Sequence, residues 1–118
     1  MVTKVNVPIF RGKLTVVINE TLEESANEID YRKDISDYNA ISFYGRYDGV
    51  LQFVILLHKG VDTGIIAHES AHAANQILDY IGHNNTADND EVFCYVFEWV
   101  FRQAEKCFNK YKEKHGKS

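Results

Sequence analysis

Residues 65–78 read IIAHESAHAANQIL, and the five residues His-Glu-Ser-Ala-His at 68–72 determine how the rest of the sequence is interpreted. On a helix, positions i and i+4 share one face, so the imidazoles of His68 and His72 can reach one metal ion at about 2.0–2.1 Å. Glu69 then lies beside the ion, where its carboxylate can accept a proton from metal-bound water. The spacing predicts a zinc site with His68 and His72 as ligands and Glu69 as general base.

The helix that carries this motif has one polar line among apolar positions, and the last helix of the chain repeats the pattern. The first line contains His68, His72, Asn75 and Asp79, and the second contains Glu91, Tyr95, Glu98 and Arg102. Helices that are apolar apart from one polar line are expected to be buried. Buried charges are costly unless they are paired or bound to metal. We therefore expect the two polar lines to face each other across a zinc ion.

Elsewhere the sequence predicts strands early and long helices late. Strands are expected at Lys13–Asn19, Ala40–Tyr47 and Val50–His58, after an extended lead-in over Val5–Phe10. Asp48-Gly49 between two of them is a strong hairpin signal. Helices are expected from Leu22 to Tyr31 with Thr21 as cap, from an Asp62 or Thr63 cap to about Ile81, and from about Asp90 to Lys112, with Gly82 closing the second. This order predicts one α+β domain over residues 1–118, with a small mixed sheet of about three strands and the hairpin at 40–58 packed against the two long helices.

Composition narrows the functional classes. The net charge of −4 gives no reason to expect nucleic acid as a partner, and no apolar run approaches membrane-spanning length. Residues 61–101 contain seven carboxylates and no Lys or Arg, which suits a divalent cation, whereas the stretch from Lys106 to Lys117 is basic.

Cys94 and Cys107 fall about 20 Å apart on one predicted helix, beyond disulfide reach. Reduced thiols and the lack of an export signal favour the cytoplasm.

IIAHESAHAANQIL together with DNDEVFCYVFEW at 88–99 resembles the gluzincin branch of the zincin metallopeptidases, and in particular small HExxH proteins of phage genomes. The resemblance covers roughly residues 50 to 101. It implies a third zinc ligand on a second helix, some twenty residues beyond the second histidine, and Glu91 follows His72 by nineteen. It also implies a sheet whose edge strand aligns the substrate backbone, and the host cytoplasm as location if the gene belongs to a phage.

Alternatives to Glu91 as third ligand are Asp88, Asp90 and His83. His83 is the residue that helical rise carries away from the metal, because it lies eleven positions beyond His72. Two departures from the related families matter. Leu78 occupies the place of the third metzincin histidine, and Tyr95 occupies the place of the aspartate that braces a ligand in thermolysin-like enzymes. Tyr95, Glu98 and Asn75 are candidates for that brace.

The resemblance and the motif together predict a zinc-dependent peptidase that hydrolyses amide bonds in peptide or protein substrates. Two alternatives stay open: a regulatory zinc-binding protein without turnover, and a zinc hydrolase of a non-peptide substrate. The chain has no second lobe, so a partner protein could complete the cleft. Candidates for stabilising an oxyanion are four tyrosines: Tyr44, Tyr47, Tyr80 and Tyr95.

Overall fold

The computed structural model describes residues 1–8 and 11–115 of the chain. Four strands and three helices follow one another in this part. In chain order they are β1 (Val2–Asn6), β2 (Lys13–Asn19), α1 (Leu22–Glu28), β3 (Ile41–Tyr47), β4 (Val50–His58), α2 (Thr63–Tyr80) and α3 (Glu91–His115). The protein is therefore an α+β chain with a long C-terminal helix, as the sequence predicts.

The four strands form one mixed sheet in the order β1-β2-β4-β3. Strand β2 pairs in parallel with β4 and antiparallel with β1, while β3 and β4 pair antiparallel. The sheet has one strand more than the about three that the sequence predicts, because β1 pairs with β2 over Val2–Asn6 and is a full strand. The expected lead-in over Val5–Phe10 overlaps β1 only at its end, and residues 9 and 10 lie outside the described part.

Strand β4 is buried on both faces, with every residue from Leu51 to Leu57 below the surface. On one face its side chains join an apolar cluster with α2 and α3. On the other face Val54 and Leu56 pack against Leu22 and Ala26 of α1. The sheet is thus the middle layer of three, and its continuous apolar central strand is the reason why both faces are covered.

The hairpin between β3 and β4 forms as predicted, with Tyr47 paired to Val50. Asp48 and Gly49 have φ values of 55° and 77°. Positive φ at both central residues is typical of a type I′ turn, whose twist matches that of the flanking strands. The turn makes β3 an edge strand that lies beside β4 and close to α2.

Helix α2 begins and ends at the predicted signals. The side chain of Asp62 accepts a hydrogen bond from Ile65 N at 2.9 Å, which caps the first turn. At the other end Gly82 has a φ of 75°, and His83 N donates to Leu78 O at 2.9 Å. This is the Schellman arrangement, and it turns the chain back toward the end of the helix. Helix α1 is shorter than predicted, since it ends at Glu28 and Asp30 has a φ of 61°.

Helix α3 is amphipathic, which corrects the prediction that its polar line is buried. Its buried residues lie on one face, namely Val100, Ala104, Cys107, Phe108 and Tyr111. Glu91 and Tyr95 are exposed, Tyr95 to 68%, and Glu98 pairs with Arg102 at 2.7 Å in solvent. Helix α3 packs against α2 and β2 on one face and leaves its other face to solvent, as an outer helix does. The two polar lines therefore do not meet inside the protein.

Both cysteines are free, Cys94 exposed and Cys107 buried. Burial raises the pKa of the Cys107 thiol. Within residues 1–8 and 11–115, no helix combines the length and apolar character that crossing a membrane requires.

Candidate metal-binding cleft

His68 and His72 lie one turn apart on the exposed face of α2, and their side chains converge. Their Nε2 atoms are 3.1 Å apart, with the ring planes at 81° to each other. Two nitrogens bound to one tetrahedral zinc at about 2.0–2.1 Å lie about 3.3 Å apart. The separation therefore fits two ligands of one ion, and the His68 side chain is 68% exposed, so the place where the rings converge is open to solvent.

Glu69 follows His68 in the same turn of α2, and it is only 7% exposed. One of its carboxylate oxygens lies 4.0 Å from His68 Nε2. The carboxylate is thus close to the point at which the two imidazoles converge, without being hydrogen-bonded to either ring. This is the place that a general base beside a metal ion requires.

A cleft of about 450 Å³ opens beside these three residues. We call it the histidine cleft. Helix α2 forms one wall with His68, Glu69, His72 and Gln76, the edge strand β3 contributes Ile41 and Ser42, and the segment before β3 contributes Tyr31, Lys33, Asp34, Tyr38 and Ala40. The hairpin lies next to the helix that carries the motif, as predicted, and its first strand lines the cleft.

Asp34 is a carboxylate in this cleft that the sequence did not single out. Its Oδ1 accepts a hydrogen bond from Ser36 N at 3.0 Å, and this bond holds the pKa of Asp34 below its usual range. The side chain thus favours its ionised form in the cleft that the two histidines also line. The sequence signal at this place was only a polar, turn-like segment, so nothing in it distinguished Asp34 from its neighbours.

Glu91, the predicted third ligand, is not brought to the histidines. It is exposed at the first residue of α3. Among the described residues, no three His, Cys, Asp or Glu side chains are grouped closely enough to hold a metal ion. Two side chains, His68 and His72, are thus placed as zinc ligands should be. The described residues bring no third ligand close to them.

The braces expected behind the histidines are also not in contact with them. Apart from each other and Glu69, neither ring has a polar partner in the described part of the chain. Asn75 lies near His72 in a neighbouring cleft, whereas Tyr95 and Glu98 face solvent on α3.

The four tyrosines proposed for oxyanion stabilisation do not line the histidine cleft. Tyr44 lines the neighbouring cleft instead, where its hydroxyl donates to Asp79 Oδ2 at 3.3 Å. Tyr31 and Tyr38, which the sequence analysis left aside, do line the histidine cleft. Their place depends on the path of residues 29–40, which local sequence patterns do not determine.

The neighbouring cleft, which we call the amide cleft, begins at His72 and Gln76 and continues past the end of α2. Asn75, Asn84 and Asn85 are among its lining residues. Two of its lining residues each have a buried polar atom, Gln76 Oε1 and His83 Nε2, without a hydrogen-bond partner within the described residues. Such atoms cost about 1–3 kcal/mol each when they remain unpaired. The Schellman turn brings His83 to this cleft, although helical rise alone had placed it far away.

In comparisons with known proteins, no family model matches this chain, and neither a curated protein nor a solved structure matches it.

Proposed function

We propose that this protein is a zinc-dependent peptidase in which His68 and His72 hold the metal and Glu69 is the general base. One observation carries the proposal. The two Nε2 atoms lie 3.1 Å apart on an exposed helix face, and the buried Glu69 carboxylate lies 4.0 Å from one of them. An arrangement of two imidazoles and an adjacent, sheltered carboxylate supports activation of water for hydrolysis.

The edge strand β3 favours a peptide as substrate. In the described part of the chain β3 pairs with β4 alone, so its other edge offers backbone N–H and C=O groups to a further strand. Ile41 and Ser42 of this strand line the histidine cleft. A substrate in extended conformation can therefore pair with β3 and pass in front of His68 and His72.

In the proposed reaction, Glu69 accepts a proton from the attacking water and returns it to the leaving amine. Zinc held by His68 and His72 would supply a Lewis acid that makes the attacking water more acidic. The low exposure of Glu69 keeps bulk water away from the carboxylate, which favours direct proton transfer.

Glu91 remains the proposed third ligand, and to reach the histidines it would have to leave its place at the first residue of α3. Asp34 is a competing candidate, because it already lines the histidine cleft in ionised form. A catalytic zinc site with three protein ligands keeps one position open for water or substrate.

Glu69→Gln tests the catalytic part of the proposal, because it keeps the size of the side chain and removes the base. We expect zinc binding to persist and the hydrolysis of unstructured protein substrates to fall by about 10²–10⁴-fold. Cleavage is measured by mass spectrometry of the products, with Glu23→Gln on the exposed side of α1 as a matched control. Chelation should abolish cleavage by the wild-type protein.

A regulatory zinc-binding protein without turnover is the second candidate. It is favoured by the lack of a third ligand and of braces behind the histidines in the described residues. Suppose that the wild-type protein is found to bind zinc and an unstructured protein without cutting any of the protein substrates tested. If Glu69→Gln then binds the same protein equally well, the catalytic proposal is wrong. The non-catalytic function then replaces it.

A further inference from the structure

The amide cleft contains polar groups that no partner in the described chain satisfies. Gln76 Oε1 is buried, and it can only accept a hydrogen bond. His83 lines the same cleft and has a buried Nε2, which can donate or accept when the ring is neutral. Two lining residues with such atoms favour a ligand whose hydrogen-bonding groups complete the set.

The charge of this cleft points to the chemical class of the ligand. Its described lining contains Asp79 and no Lys or Arg. The Asp79 carboxylate has no cationic partner in the described part of the chain, and it accepts a 3.3 Å hydrogen bond from the Tyr44 hydroxyl. The buried Gln76 acceptor and the Asp79 carboxylate therefore both favour a ligand that carries hydrogen-bond donors and positive charge.

The position of the cleft relates it to the histidines. His72 and Gln76 belong to the walls of both clefts, so the two spaces adjoin. Along β3, Ile41 and Ser42 line the histidine cleft and Tyr44 lines the amide cleft. A peptide that pairs with β3 would thus present its backbone at the histidines and a nearby side chain at Gln76, Asp79 and His83.

We infer that Gln76, Asp79 and His83 form a specificity subsite that binds a basic side chain, arginine or lysine, of the peptide substrate. This inference rests on the proposed function for its biological meaning. Binding of a basic peptide, however, can be measured without turnover, so the two can be tested separately.

The test is a titration of isotope-labelled protein with short capped peptides, followed by ¹H–¹⁵N NMR, both metal-free and with added zinc. The peptides are identical except for one central residue: arginine, citrulline, norleucine or glutamate. We expect the arginine peptide to shift the amide signals of residues 76–85. Citrulline keeps the shape and most donors but loses the charge, so we expect it to bind about tenfold more weakly, and norleucine more weakly still.

Gln76→Met is nearly isosteric, and it should weaken arginine binding about tenfold, whereas Gln103→Met on α3 should leave it unchanged. Asp79→Asn should remove the preference for arginine over citrulline. Signal dispersion in the same spectra establishes that each variant is folded, and the peptide series on the wild type stands without any variant.

Equal binding of the arginine and norleucine peptides, a preference for glutamate, or no shift with either form of the protein would overturn the subsite. If the arginine peptide binds at residues 76–85 but the wild-type protein with zinc cuts no substrate, the subsite stands and the peptidase proposal fails.

Discussion

His68 and His72 converge so closely that one hydrogen bond or one metal ion can join them. At 3.1 Å between Nε2 atoms, one neutral ring can donate its N–H to the lone pair of the other. A zinc ion needs both lone pairs, so on binding both rings must carry their protons on Nδ1. If zinc binds as we propose, the two residues would exchange a shared proton for a shared metal, with little movement of α2.

The metal ligands can be ranked by zinc content. Loss of a residue that only supports a metal ligand weakens metal binding about 10–100-fold. His68→Ala and His72→Ala should each weaken zinc binding by more than this, because each removes a proposed ligand. Elemental analysis of protein purified without chelator, with a competition titration, measures this. His83→Ala is the control, since that ring lies in the amide cleft.

Glu91→Ala and Asp34→Ala then decide the third ligand, because whichever variant loses zinc identifies the carboxylate that completes the site. Full zinc content in His72→Ala would contradict the metal site as a whole.

At the scale of residues, the sequence predicted those parts of the site that share one helix. The i, i+4 spacing fixes His68 and His72 relative to each other wherever the helix is placed. Asp34, Tyr38 and His83 come to the clefts through turns and loops, and their positions depend on tertiary packing that no local period encodes. Glu91 was expected from spacing along the chain, which does not determine the path of residues 81–90.

At the scale of elements, the ends of α2 are the most predictable feature because each is set by a local interaction. Asp62 caps the first turn through its side chain, and Gly82 ends the helix in the left-handed conformation. The burial predicted for the polar line of α3 was wrong, because the many apolar residues of this helix suggested that all of its faces are buried. Several of them, including Phe93, Phe97 and Phe101, stack on one another along the helix and are only partly buried.

Gly82→Ala should destabilise the protein by about 1–2 kcal/mol, because an alanine at a φ of 75° is strained. A Cβ at this position meets no atom within 4 Å, so the cost is due to the backbone and not to a clash. Urea unfolding measures the change. Gly82→Asn is the matched variant and should lose less, since asparagine tolerates this conformation.

Amide hydrogen exchange at His83, whose N–H donates to Leu78 O, should quicken in Gly82→Ala. Unchanged stability in this variant would contradict the assignment of a strained helix end.

At the scale of the whole molecule, Glu20 ties three distant segments together. Its carboxylate accepts from Lys59 Nζ at 3.1 Å, after β4, and from the Tyr111 hydroxyl at 3.0 Å, near the end of α3. Hydrogen bonds from Lys59 and then Tyr111 lower the pKa of Glu20. The pKa of Tyr111 is raised, first by burial and then by its hydrogen bond to Glu20.

A lowered carboxyl pKa in the folded state stabilises the protein above the unfolded-state value and loses this effect as pH falls through the folded-state pKa. Glu20→Gln should therefore be less stable than the wild type at pH 7, and the difference should shrink below about pH 4. Urea unfolding at both pH values measures it, with Glu113→Gln, an exposed carboxylate of α3, as control. A difference of equal size at both pH values would show that charge does not cause it.

The order of strands and helices along the sequence predicted the α+β class and the hairpin, but not the complete sheet. Strand β1 is short and partly exposed, so its alternation is weak, and its pairing with β2 became evident only from the register of the two strands. The parallel pairing of β2 with β4 joins residues such as Leu14 and Phe53 that are far apart in sequence. Local patterns do not carry such pairings.

The edge of β3 that is unpaired in the described part of the chain also affects how copies of the protein interact with one another. The backbone groups that we propose to align a substrate are equally suited to another copy of the same strand. Self-association through β3 would cover the histidine cleft, so the proposed activity would fall as the protein concentration rises. Arg46 is exposed on this strand, and like charges brought together by two such edges disfavour that pairing. An open edge of this kind can thus remain available to substrate only if it resists aggregation.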